Sequence, residues 1–114
     1  MVVIKGKKSV VGPVEKVEIM GKRFKARIDT GAQTSSIDRA TAIKLGLLKS
    51  SFVRTADIVS ASGRSKRKVV KTPVKIKDRL INASLTVADR TGLNYKVLIG
   101  RNILKLNFVV DCAS

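Results

Sequence analysis

Asp29-Thr30-Gly31 is the place where this sequence could do chemistry. The tripeptide follows the apolar Ile28 and leads into Ala32. A carboxylate set on a tight turn after an apolar strand presents its oxygens outward, and glycine lets neighbouring backbone approach without a Cβ clash. Few other reactive groups are present. The chain has no histidine and one cysteine, Cys112, so Ser-His-Asp and Cys-His schemes are excluded. Imidazole and thiolate are the usual ligands of zinc, and one Cys with carboxylates is a poor set for a tetrahedral site. A lone cysteine also forbids an intrachain disulfide. What remains is carboxylate chemistry. By itself Asp-Thr-Gly is a weak signal, expected by chance in roughly a few of every hundred chains of this length. Turns favour Asp and Gly, so the tripeptide alone reads as an ordinary strand-to-turn junction.

The surrounding elements must position that carboxylate. Apolar residues alternate at Phe24, Ala26 and Ile28, the period-two pattern of a half-buried strand over 23–29. Val14, Val17 and Ile19 precede it, and Met20-Gly21-Lys22 reads as a hairpin turn in which Gly21 takes positive φ. Ser35 and Asp38 have the spacing of a capping box, apolar residues follow from Ala40 to Leu47, and Gly46 suits a helix end. These predict one short helix over 37–45. Strands are expected at 1–4, 53–60, 67–70, 74–77, 81–87, 95–99 and 108–110, with a hairpin tip at Ala61-Ser62-Gly63-Arg64 and a helical turn near Ile103-Leu104 after Gly100. One short helix among many short strands predicts a mostly β fold.

With 114 residues the chain is expected to be a single domain, 1–114. A domain of this size buries only about 60–70% of its unfolded surface, so a partner subunit would add core. A hydrophobic content of 44% fits a folded protein. The net charge is +16, from 24 Lys and Arg against 8 Asp and Glu. That balance attracts nucleic acid, anionic surfaces or acidic polypeptides, or else serves only as a solvated surface. The densest basic run is Arg64, Lys66, Arg67 and Lys68. No signal peptide and no apolar window long enough to span a membrane is evident, so no membrane partner and a cytoplasmic location are expected.

Some 70 residues after the tripeptide stands Val97-Leu98-Ile99-Gly100-Arg101-Asn102-Ile103-Leu104. Asp-Thr-Gly-Ala after an apolar strand, a glycine-bearing hairpin, and then apolar-apolar-Gly-Arg-Asn near the end resemble the retropepsin-like aspartic proteases. The agreement is best over 25–47 and 88–111. Ala88-Asp89-Arg90 and Leu93-Asn94-Tyr95 look closest to a prokaryotic branch labelled ATP-dependent zinc proteases. Neither part of that label suits this chain, which has no histidine and no Gly-x-x-x-x-Gly-Lys-[Ser/Thr] loop for a nucleotide. No cofactor and no metal is expected.

The resemblance implies a half-barrel and an aspartic endopeptidase. Hydrolysis by carboxylates alone needs two of them about one water, one ionised to take its proton and one protonated to hydrogen-bond the carbonyl. Two carboxylates that close share a proton and titrate as a pair. Asp-Thr-Gly occurs once here, so the second aspartate must be Asp29 of a two-fold mate in a homodimer. The resemblance further implies roles. Asp29, Thr30 and Gly31 form the catalytic turn, with Thr30 reaching across the two-fold axis. Ala32, Gln33 and Thr34 line the cleft, and Ser60, Ala61, Ser62 and Gly63 are the tip of a flap closing over peptide. Leu98 and Ile99 wall a side-chain pocket, while Gly100, Arg101 and Asn102 buttress the loop. Asp38 reads as a helix cap.

Two departures stand out. Gln33 occupies the position where retroviral relatives commonly carry an aspartate paired to the Gly-Arg-Asn arginine, which leaves Arg101 to find another partner or solvent. The basic run just after Gly63 predicts a preference for acidic peptides. Two other functions compete with cleavage: a catalytically silent retropepsin fold for dimerisation or peptide binding, and a basic β protein that binds nucleic acid. The latter is not favoured, since Phe24, Phe52, Tyr95 and Phe108 are the only aromatic residues available for stacking.

Overall fold

A computed structural model describes residues 8–61 and 63–113. The expected strand at 1–4 and the tip residue Ser62 lie outside the described residues. β2 (Val14–Ile19) and β3 (Lys22–Ile28) run antiparallel across Met20 and Gly21, at φ 52° and 75°. Both central residues at positive φ give the turn whose twist matches that of the strands it joins. Ala26 and Ile28 point into the core as the alternation requires.

Strands hold 56% of the structure and helices 13%, so the fold is mostly β. The other main strands are β4 (Ser35–Asp38), β5 (Phe52–Ser60), β6 (Gly63–Ile76), β7 (Arg79–Ala88) and β8 (Val97–Ile99). With β2 and β3 they form one sheet in the order β2-β3-β8-β4-β7-β6-β5. β6 also returns to β2 through Val17↔Ile76 and Ile19↔Val74, which curls the sheet into a half-barrel. Val17, Ile19, Ile37, Val70, Val74, Leu85, Val97 and Ile99 fill its interior. A separate parallel pair, β1 (Ser9–Val11) with β9 (Phe108–Val110), lies at the chain ends.

Three expectations need correction. The helix does not begin at 37. Ile37 and Asp38 continue β4, which is buried at every residue and sandwiched between β7 and β8. Pairing on both edges overrides the local helical pattern. α1 is Arg39–Lys44, and after Gly46 at φ 73° a second turn, α2 (Leu47–Ser50), follows. Ser35 is no part of a capping box; Asp38 alone caps α1, its Oδ2 accepting from the Thr41 amide at 3.3 Å.

Strands 67–70 and 74–77 are one strand that passes through Pro73. β6 loses β5 after Val70 and gains β2 only at Val74. The Lys71 amide still reaches Ser51 O on that edge. By strand parity the missing N–H of Pro73 falls on the same edge, in the gap where no ladder bond is lost. Finally, residues 95 and 96 are not strand: β8 is confined to Val97–Ile99.

Candidate functional site

Asp29 is the first residue beyond β3. Its amide donates to Ile99 O at 2.9 Å, extending the parallel ladder in which Ile28 faces Ile99. The chain then turns sharply: the Gly31 amide donates to Asp29 Oδ1 at 2.9 Å and the Ala32 amide to Asp29 O at 3.3 Å. The carboxylate is thereby oriented by its own loop while staying half-exposed. A Cβ on Gly31 would stand 3.2 Å from Asp29 Oδ1, so the close turn leaves little room for a side chain there.

Three residues beyond β8 clamp the loop from beneath. The Arg101 amide donates to Ala32 O at 2.8 Å and the Asn102 amide to Gln33 O at 3.2 Å. Gly100 sits between, at the start of α3 (Arg101–Leu104). Its φ of −104° suits any residue. Space is what demands glycine, because a Cβ would fall 2.4 Å from Thr34 O and 2.8 Å from Ala32 O. Under the clamp, the Ser35 hydroxyl accepts from the Gly100 amide at 2.9 Å and donates to Asn102 Oδ1 at 2.7 Å. Asn102 Nδ2 donates to Ser84 O at 3.0 Å, and the Thr86 hydroxyl to Ser35 O at 3.2 Å. β3, β4, β7, β8 and α3 are tied together at this point.

The structure thus brings Asp29, Thr30, Gly31, Ala32, Gln33 and Thr34 against Gly100, Arg101 and Asn102. Arg101 Nη1 reaches Thr30 O at 3.4 Å, and Gln33 engages Asn102 through its carbonyl rather than its side chain. Thr30 is exposed, and its hydroxyl has no hydrogen-bond partner among the described residues. Leu98 is half-buried. Ile99 is fully buried in the core and cannot wall an open pocket, because alternate strand residues face opposite sides and Ile99 takes the inner one. Ser60 and Gly63 pair at the end of the β5–β6 hairpin, with Ala61 exposed at its tip.

A cavity of about 350 Å³ lies between this hairpin and the clamp. Thr34, Asn102 and Ile103 line one side and Ala56, Ile58 and Val69 the other; its charged lining residues, Arg54 and Lys71, are both cationic. Asp29 does not line it.

Two residues make contacts that their place in the sequence did not suggest. Ser35 gave no signal beyond a capping pattern that proved misleading. Arg90 is half-buried, with Nε on Tyr95 O at 2.8 Å and Nη1 3.5 Å from Ser36 Oγ. Burial lowers its pKa, and it feels the charges of Asp38, Arg27, Arg67 and Asp29. Its amide donates to Asp38 Oδ1 at 2.9 Å. Burial works to raise the Asp38 pKa, but that amide, the Thr41 amide and Lys96 outweigh it and hold the carboxyl below its usual value. Among the described residues no three of His, Cys, Asp or Glu gather into a metal-holding cluster, and no helix is long and apolar enough to cross a membrane.

Residues 15–106 match a sequence model of the family described as "gag-polyprotein putative aspartyl protease". A protein of Desulfotalea psychrophila named "Probable alpha-L-glutamate ligase" is 26% identical over 79% of this chain and 24% of its own length, so the chain spans about a quarter of that relative. A Legionella pneumophila protein of unknown function (DUF785) has a similar fold, with a TM-score of 0.65 over 93% of this chain and 95% of that one at 21% identity.

Proposed function

The chain belongs to the gag-type aspartyl protease family, and from that premise we propose that it is an aspartic endopeptidase acting as a homodimer. The observation that carries the reading is the clamp. It holds a single carboxylate half-exposed at the outer edge of a loop pinned by the amides of Asp29, Arg101 and Asn102. A two-fold mate supplies the second Asp29. One carboxylate takes the proton of the water between them while the other, protonated, hydrogen-bonds the scissile carbonyl. The unpartnered Thr30 hydroxyl fits a bond across the axis. Val10 and Val109, in register and 52% and 43% exposed, offer apolar surface at the chain ends for a partner to cover. The β5–β6 hairpin acts as the flap, excluding water over bound peptide.

The substrate is proposed to be an acidic polypeptide. Arg54 and Lys71 are the charges beside Thr34 in the cavity under the hairpin, and the relative from Desulfotalea is named for ligation of α-L-glutamate. The closer likeness to the prokaryotic branch rests on Ala88-Asp89-Arg90 and Leu93-Asn94-Tyr95, with neither zinc nor ATP involved.

The test is cleavage of glutamate-rich and lysine-rich peptide libraries by wild type and Asp29→Asn, with sedimentation velocity on both. The reading expects faster cleavage of the acidic library, a dimer in both proteins and no turnover from the variant. Turnover surviving in Asp29→Asn sinks it. A catalytically silent peptide-binding module is a second reading, supported by the match to a segment of a larger protein named as a ligase. That reading expects peptide binding without cleavage in both proteins.

A further inference from the structure

A basic wedge opens where the β5–β6 hairpin leaves the rest of the sheet. β6 pairs with β7 only from Val69↔Thr86 onward, whereas its pairing with β5 runs from Phe52↔Val70 out to Ser60↔Gly63. The hairpin therefore parts from β7 at Lys68, and a cavity of about 390 Å³ lies in the gap behind it. Lys66, Arg67 and Lys68 line it from the departing strand, and Arg39 lines it from the start of α1. Its apolar surface comes from Leu48, Val87 and Ile43, the last 58% exposed.

Every charged residue lining the wedge is cationic. None of the four forms an ion pair among the described residues, where the pair present joins Lys77 to Glu15. Asp57 stands opposite Lys66 in the strand register, and Asp89 feels Arg39 without pairing to it, so nearby acids soften the patch but do not line it. Like charges held around an apolar groove repel one another, and an anionic occupant relieves that repulsion.

We propose that this wedge is an exosite for an acidic polypeptide segment carrying a branched apolar side chain between glutamates or aspartates. The cations fit the carboxylates and the exposed Ile43 fits the apolar side chain. A nucleic acid fits less well, because no aromatic residue lines the wedge to stack a base. A segment seated there touches both the hairpin arm and α1, and so restrains the hairpin. Asp29 does not line the wedge, and binding there does not depend on cleavage.

The test is fluorescence anisotropy of a labelled Glu-Glu-Leu-Glu-Glu peptide against full-length Asp29→Asn protein, which leaves the peptide intact, together with methyl NMR of the same protein. Lys66→Glu with Lys68→Glu is expected to weaken binding about tenfold, and Lys16→Glu with Lys25→Glu less than about twofold. Ile43→Ser is expected to weaken the leucine peptide and leave an all-glutamate peptide unaffected. The peptide should shift the methyl resonances of Ile43, Leu48 and Val87, a readout that needs no groove variant. Equal losses from both charge reversals would reduce the wedge to unspecific attraction and overturn the proposal. Methyl shifts confined to the cavity beside Thr34 would overturn it too, while leaving the protease reading standing. Tighter, wedge-dependent binding of a single-stranded oligonucleotide would replace the peptide with nucleic acid.

Discussion

The buried hydroxyl of Ser35 accepts the Gly100 amide at 2.9 Å while giving its own proton to Asn102 Oδ1 at 2.7 Å. One small side chain at the start of β4 thus satisfies two residues that follow β8. Asn102 can accept there because its Nδ2 is committed to Ser84 O.

Ser35→Ala should therefore destabilise the protein by about 2–3 kcal/mol, since it leaves a buried amide and a part-buried amide oxygen without partners. Chemical denaturation measures the loss. A change below about 0.5 kcal/mol would mean that water replaces the hydroxyl.

Gly100→Ala is expected to be worse for the site than for the fold. Its Cβ would meet backbone atoms of Thr34 and Ala32 rather than a movable side chain, so the 29–34 loop must shift. A stability loss of about 2–4 kcal/mol is expected, with peptide cleavage lost even where the protein remains folded. Full activity in the alanine variant would contradict the close contact.

Asp38 accepts with both oxygens, from Arg90 on Oδ1 and Thr41 on Oδ2. Asparagine has only one acceptor, so Asp38→Asn should cost about 1–2 kcal/mol at neutral pH. The folded carboxyl sits below its ordinary 3.8. Its contribution is therefore complete above that value and fades as pH falls through the lowered one. The stability gap between wild type and variant should begin to narrow below about pH 4 and close only once the folded carboxyl is protonated. Denaturation curves across that range check it, and a constant gap would refute the linkage.

Thr72 Oγ1 is buried without a hydrogen-bond partner among the described residues. Thr72→Val keeps the shape and removes the stranded hydroxyl, and should stabilise the protein by about 1 kcal/mol. Thermal unfolding reads the sign, and a lower midpoint would reveal a partner for the hydroxyl.

Catalysis by a proton-sharing pair predicts a bell-shaped rate profile on the acid side of neutrality. Pepstatin-like mimics should inhibit and chelators should have no effect. A rate that is flat and maximal above about pH 9 would exclude the paired-carboxylate scheme.

Local rules in the sequence were enough for some of this structure. Alternation at Phe24, Ala26 and Ile28 defines β3, Gly21 and Gly46 mark their turns, and the spacing of Asp29-Thr30-Gly31 from Gly100-Arg101-Asn102 marks the segments that meet at the candidate site. Pairing partners far along the chain decided the rest. β4 is a strand because β7 and β8 flank it, although 35–38 carries a capping pattern. β6 runs unbroken because Pro73 falls where its edge has no neighbour, and Ile99 faces inward because of the parity of β8. The helix cap, the turns and the alternation depend on bonds between residues a few positions apart, so they can be read in order along the chain. The Ser35 network, the crowding that demands glycine at 100 and the wedge behind the hairpin exist only once strands separated by up to about 70 residues lie side by side.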